Sequence, residues 1–157
     1  FSHERTGMHG RTFKVLKFRT MVPNAQQLEA ALKQQNLSLG PQFKMKNDPR
    51  VTRVGRFLRK AHLDELPQLL HILTGEMSLV GPRPCSAKLS EHVGWWRMRL
   101  DCPPGLTGPF QIMRSKTHNF DDRVRLEVQY LRQRSMLYDV EMLLRTVWVA
   151  LVKREGI

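Results

Sequence analysis

Proline and glycine cut this chain into short pieces, and no other feature limits its fold as much. Breaks fall at Leu39-Gly40-Pro41, Asn47-Asp48-Pro49, Thr74-Gly75, Gly81-Pro82-Arg83-Pro84 and Pro103-Pro104-Gly105. Proline lacks an amide proton and glycine favours turns, so regular elements stop at each of these points. What fits between them is a set of short helices and a very small sheet. No apolar run reaches the ~20 residues that a bilayer-spanning helix needs. At 157 residues, 41% of them hydrophobic, the chain is long enough to bury a core as one domain without disulfide staples.

Residue patterns fill in the pieces. Phe1 to Thr6 and Thr12 to Arg19 flank the turn-like Gly7-Met8-His9-Gly10, which predicts a β-hairpin. Asn24 can cap a helix to about Gln35, with Leu28, Ala31, Leu32 and Gln35 along one side. Thr52 opens a stronger helix in which Val54, Phe57, Leu58 and Ala61 form the expected buried stripe, leaving Arg53, Arg56, Arg59 and Lys60 around the rest of the axis. Leu63 to Leu73 reads as the next helix, with Asp64 near its start, and Pro67 is tolerable in its first turn. Met77 to Val80 is a short apolar segment, and periodicity is weak from Ser86 to Leu100. Two helices follow: one capped by Asp121 with Val124, Val128 and Leu131 on a face, and one from about Asp139 to Lys153. In the last, Val140, Leu143, Leu144, Val147 and Leu151 should point inward, with Met142, Trp148 and Val149 widening the stripe. The expected class is α+β, mostly helical, with one small antiparallel hairpin.

Charge divides the chain unevenly. Up to Lys60 there are 13 basic and 3 acidic residues, and from Ala61 onward 13 and 11, for a total of +12. A basic half of this kind suits a polyanion: nucleic acid, an anionic membrane face or a phosphate-bearing substrate. A merely solubilising surface would look the same. Cys85 and Cys102 form no CxxC or zinc spacing and read as small buried hydrophobes. There is no signal peptide, and the opening at Phe1, inside a strand pattern, reads as the start of a piece of something longer.

Two local patterns could carry chemistry. Asp64-Glu65 follows the basic helix directly. Alone, such a pair is usually an N-cap and a first-turn acid. Here a helix N-terminus beside it would welcome phosphate and keep Asp64 ionised, as a nucleophile or metal ligand requires. One or two carboxylates plus phosphate oxygens also suit magnesium, Mg2+. Arg83 is held between two prolines, which presents a guanidinium with little freedom to lose, and arginine suits bidentate phosphate contact. An ordinary rigid turn is the plain alternative. His62 and His71 are too far apart for a metal pair on one helix face, while His3, His9, His92 and His118 read as surface or core histidines. No GxGxxG, Walker loop, HExxH or G-x-S-x-G elbow is present. Trp95, Trp96, Arg97 and Arg99 fit either a membrane interface or core packing with a basic rim.

Longer stretches carry a resemblance. Lys17-Phe18-Arg19-Thr20-Met21, Asp48 to Arg59, Leu63-Asp64-Glu65-Leu66-Pro67-Gln68-Leu69, Met77 to Pro84 and Pro104-Gly105-Leu106-Thr107-Gly108 resemble, in order, the bacterial sugar transferases, the monotopic phosphoglycosyl transferases acting on polyprenyl phosphate. The resemblance implies a single catalytic domain over 1–157, without the N-terminal re-entrant membrane helix that such proteins usually carry, lying on the cytoplasmic face of the bacterial inner membrane. It implies transfer of a sugar-1-phosphate from a nucleotide-sugar donor, usually a UDP-sugar, to undecaprenyl phosphate, with release of UMP. This would be the first membrane step of exopolysaccharide, O-antigen or glycoprotein glycan assembly. Asp64 would be the nucleophile that becomes phosphorylated, and Glu65 would complete the dyad and share Mg2+ with it. Arg59 and Arg83 would contact phosphate, Lys17 and Arg19 would lie close by, and Gln111 would bind substrate from the loop after Gly108. That loop, Gln111-Ile112-Met113-Arg114-Ser115, departs from the expected Gln-Val-Asn/Ser-Gly-Arg pattern, and Glu127 stands where an Asp is common. Two rivals remain: a nucleic-acid-binding module that lays the Thr52 to Lys60 helix along phosphates, and a family member that has lost catalysis and serves in assembly. The first leaves Asp64-Glu65 and Pro-Arg-Pro without a purpose, and the intact dyad speaks against the second; no nucleic-acid partner is expected, and the sequence leaves the oligomeric state open.

Overall fold

A computed structural model describes residues 1–32, 45, 47–86, 94–113 and 120–150. The hairpin forms as the sequence predicts. Strand β1 (Ser2–Thr6) pairs antiparallel with β2 (Thr12–Leu16), from Ser2 opposite Leu16 to Thr6 opposite Thr12. A short 3-10 turn at Met8–Gly10 joins them. Helix α1 (Ala25–Leu32) follows, but Leu28 and Ala31 are exposed rather than packed, and Gln35 lies outside the described residues.

Helix α2 (Arg53–Lys60) starts where expected, with the Thr52 hydroxyl accepting from the Gly55 amide at 2.9 Å. Its buried face is not the expected one. Val54 and Phe57 are 68% and 64% exposed, Ala61 is exposed, and the residue that packs inward is Gly55. A Cβ at Gly55 would lie 2.0 Å from the Thr20 carbonyl oxygen, so a missing side chain selects the docking face.

The stretch Leu63–Leu73 is not one α-helix. It is a 3-10 turn over Leu63–Gln68 followed by α3 (Leu69–Leu73), entered through His62 at φ 56°. Leu66, Leu69, Leu70 and Leu73 are exposed as well.

A second sheet was not anticipated. Met77 to Val80 contributes β3 (Ser78–Val80), which runs parallel to β4 (Gly105–Thr107). A Cβ on Gly105 would sit 2.1 Å from the Gly81 nitrogen, so the approach requires glycine. The remaining helices are α4 (Pro109–Met113), α5 (Phe120–Gln133) and α6 (Met136–Trp148), with a 3-10 stretch at Gly94–Leu100 before β4.

The core lies in two clusters. Val80, Ile112, Tyr130, Met142 and Val149 form one, and Cys85, Phe120, Val124 and Val128 the other. Val124 and Val128 face inward as expected, and both cysteines are buried thiols outside any disulfide. Helix α6 keeps only part of the expected inner face, with Leu143 packed against the first cluster. Met142 and Val149 are buried, whereas Val140, Leu144, Val147 and Trp148 are exposed; Leu151 and Lys153 lie outside the described residues. Trp96 resolves towards packing: its ring meets Phe120 edge-on at 4.7 Å, and its indole NH donates to Asp121. Arg99 is buried, while Trp95 and Arg97 are exposed. No helix among the described residues is long and apolar enough to cross a membrane.

Candidate active site

The end of β2, the Asp64-Glu65 turn and the Pro82-Arg83-Pro84 segment meet through backbone as well as side chains. The Phe18 amide donates to the Asp64 carbonyl at 3.0 Å, and the Leu16 amide donates to Nε2 of buried His71 at 3.1 Å. Accepting there makes His71 the tautomer that gives its Nδ1 proton to Glu76, 2.7 Å away. Between these two links, Lys17 is directed at the acidic pair.

Glu65 is the hub. Lys17 Nζ donates to its Oε1 at 2.6 Å, and Arg83 grips both oxygens with Nη1 (3.1 Å to Oε2) and Nη2. Burial works against the charged carboxylate, but Arg83 and Lys17 outweigh it and hold Glu65 well below the ordinary glutamate range. Asp64 differs. Among the described residues no hydrogen bond or ion pair engages its side chain. Burial, and after it the neighbouring Glu65, push its carboxyl up from the usual aspartate range, against the pull of Lys17, Arg59 and Arg83. The turn that carries Asp64 is 3-10 rather than the α-helix N-terminus expected there.

Arg59 is aimed by α2. Its Nε donates to the Thr20 hydroxyl at 3.0 Å, and the Thr20 carbonyl in turn accepts from the Thr52 amide, so the Gly55 contact fixes Arg59 as well. Arg19 is not drawn into this group; it is exposed and lies over the Phe1 ring, 5.3 Å from its centroid. Gln111 sits in α4, where both polar atoms of its amide are buried without a hydrogen-bond partner.

Sequence reasoning missed the device that fixes Arg83. Glu127, fully buried, accepts from Arg99 Nε at 2.6 Å, Arg123 Nε at 3.0 Å and the Arg83 backbone amide at 3.1 Å. Arg99 and Arg123 then donate to the Arg83 carbonyl at 2.6 and 2.7 Å. Both polar groups of one peptide residue are thus tied to a buried Arg–Glu–Arg triad, while its side chain reaches Glu65. Burial disfavours the Glu127 carboxylate, yet Arg123 and Arg99 hold its pKa below the ordinary value. The signal available was the i, i+4 pair Arg123 and Glu127 inside the apolar stripe Phe120, Val124, Val128.

One carboxylate without a partner beside one saturated by two cations can share a divalent ion with phosphate oxygens. Among the described residues no three or more His, Cys, Asp or Glu side chains cluster as a protein-only metal cage.

Comparison with known proteins gives the family of the chain. The family described as bacterial sugar transferase matches residues 1–153. A UDP-galactose-lipid carrier transferase of Erwinia amylovora is 42% identical across 99% of this chain and 34% of its own length. An undecaprenyl-phosphate galactose phosphotransferase of Salmonella typhimurium is 40% identical over the same shares. The exopolysaccharide production protein ExoY of Sinorhizobium fredii is 40% identical across 94% of this chain and 67% of its own. The chain therefore spans about a third of the length of the first two relatives and two thirds of the last.

Proposed function

This chain belongs to the bacterial sugar transferase family, and from that premise we propose that it is the catalytic domain of a phosphoglycosyl transferase. It moves a sugar-1-phosphate from a UDP-sugar to undecaprenyl phosphate at the cytoplasmic face of the inner membrane. The observation that carries the reading is the contrast between the two acids: Glu65 is saturated by Lys17 and Arg83, and Asp64 beside it is left open.

An oxygen of the Asp64 carboxylate attacks the phosphorus that bears the sugar. The bond from that phosphorus to the bridging oxygen breaks, and UMP leaves with the electron pair. An oxygen of undecaprenyl phosphate then attacks the same phosphorus and expels Asp64 as a free carboxylate. A covalent intermediate lets one soluble and one lipid substrate use the same site in turn. The obstacle is repulsion between anions, worth about 4 kcal/mol for unit charges ~4 Å apart at an effective dielectric near 20. Lys17, Arg59 and Arg83 offset it, and phosphoryl transfer depends mostly on such positioned charge. Asp64, with Glu65 at its side, would hold Mg2+ against the substrate phosphates, and the ion would neutralise charge there.

The exposed apolar residues Val54, Phe57, Leu66, Leu69, Leu70 and Leu73 adjoin exposed Arg53, Arg56 and Lys60, a combination suited to an anionic bilayer surface. Neither the family match nor the acidic pair supports the rival nucleic-acid reading.

Asp64→Asn in the full-length protein should abolish UMP release from UDP-sugars while leaving the fold nearly unchanged, and quenched wild-type enzyme should carry a phosphosugar on Asp64. Retained turnover in the variant removes the nucleophile assignment.

A further inference from the structure

One face of strand β1 carries polar groups that find no partner among the described residues. In the hairpin register His3 stands opposite Val15 and Arg5 opposite Phe13. Phe1 and Lys17 continue the ladder through Phe1 N to Lys17 O at 3.0 Å and Lys17 N to Phe1 O at 2.9 Å. Side chains alternate along a strand, so Phe1, His3 and Arg5 share a side with Phe13, Val15 and Lys17. That side is the inner one: Val15 is buried, and Ser2 and Glu4 on the other side are exposed.

The far end of β1 reaches the Arg83 segment. Thr6 bridges to Cys85, its amide donating to the Cys85 carbonyl at 3.0 Å. Arg5 is the residue before that bridge and Arg83 lies two before Cys85. His3 and Arg5 therefore occupy the face bounded by Lys17 at one end and the Pro-Arg-Pro segment at the other, both of which meet on Glu65.

Two side chains here carry polar groups without a hydrogen-bond or ion-pair partner among the described residues. Nε2 of His3 is buried with no hydrogen bond. Half-buried Arg5 makes no ion pair or side-chain hydrogen bond among the described residues. Buried donors left unmade cost about 1–3 kcal/mol each, and more when charged. Placing Arg5 near Arg83 and Arg123 adds like-charge repulsion, and burial first, with those arginines after it, weakens its hold on its proton. For His3, burial and then Arg5, Lys17 and Arg83 push the pKa down to about 4. A polyvalent oxyanion relieves each of these costs together.

We propose that His3 and Arg5 form a second phosphate-binding wall beside Arg83, which receives a phosphate group of one of the two substrates. The inference rests on the transfer reaction proposed above. The shared chemistry is a phosphate dianion or diphosphate, supplied either by the nucleotide-sugar donor or by the lipid acceptor.

The test uses full-length enzyme carrying Arg5→Gln, Arg5→Lys or His3→Gln, with KM and kcat measured separately for donor and acceptor. Arg5→Gln is expected to raise KM at least tenfold for the substrate whose phosphate sits there, the scale of one charge-assisted contact, with a smaller change in kcat and partial recovery in Arg5→Lys. A donor effect assigns the wall to the diphosphate, and an acceptor effect to the lipid phosphate. Because the substitution relieves repulsion, its melting temperature should not fall. KM values for both substrates within twofold of wild type overturn the proposal, as does a loss of kcat alone. A second readout is independent of turnover: inorganic pyrophosphate added to the wild-type protein should raise the His3 titration midpoint seen by NMR, and an unmoved midpoint overturns the proposal even if the variants fold poorly. If Asp64→Asn stays active, the reaction reading falls by itself; if it is dead and Arg5→Gln has normal KM values, only this inference falls.

Discussion

Glu127→Gln gives the most direct check on how this fold positions its chemistry. The substitution keeps shape and removes charge at the one carboxylate shared by Arg99, Arg123 and the Arg83 amide. Arg99 and Arg123 are each only 2% exposed and cannot recover water without opening the core. Removing one partner of a buried ion pair costs about 3–5 kcal/mol, and stranding two guanidiniums places this variant near the upper end. In a domain of this size ~1 kcal/mol moves the melting temperature by about 2–4 °C, so a drop of roughly 10–20 °C is expected. Activity should fall further than stability explains, because Arg83 loses the anchors on its amide and carbonyl. The pH dependence has a definite sign. A glutamate depressed in the native state stabilises fully above its unfolded pKa near ~4.3 and loses that contribution as pH falls through the native value. Wild-type stability should therefore drop in acid more than that of Glu127→Gln. Thermal unfolding by circular dichroism between pH 7 and 3 measures both effects. A shift under about 3 °C at neutral pH, with normal turnover, refutes the reasoning.

Two other substitutions probe the frame. Gly55→Ala places a methyl group against the Thr20 backbone, which cannot move aside as a flexible side chain could; overpacking of this kind costs about 1–3 kcal/mol. It should also lower turnover by shifting Arg59, and an unchanged melting curve would show that α2 does not dock as described. Glu65→Gln frees Lys17 and Arg83; the partly solvated pairs leave stability within about 1–2 kcal/mol, but the misplaced cations should reduce kcat by about a hundredfold in steady-state assays. A kcat within threefold of wild type would make the Glu65 contacts incidental.

Local signals were legible from sequence and partnerships were not. Asp64-Glu65 and Pro82-Arg83-Pro84 stand out because the chemistry is contained in adjacent residues, and the hairpin because its turn is local. That Lys17 and Arg83 share one carboxylate needed the three-dimensional path. Periodicity located α2 and α6 but not their orientation. An apolar stripe reveals which residues are alike, while the docking face is chosen by what fits: the bare backbone of Gly55 against Thr20, and Met142 and Val149 against Val80 and Ile112. Strands of three residues, such as Ser78–Val80, fall below any pattern a period of two can register. Glu127 showed only its i, i+4 neighbour Arg123 in the sequence; Arg99 and the Arg83 backbone, its other partners, lie far along the chain.

Glu65 also sets what the resting protein ignores. A surface with formal charge +12 attracts every phosphate in a cell, from free nucleotides to RNA. With Arg83 and Lys17 already clasped, an anion that would sit on those two cations must displace a carboxylate. A weak visitor gains too little from that exchange to stay. A ligand that also engages neighbouring groups can complete the exchange, so Glu65 is an internal competitor against weakly held anions.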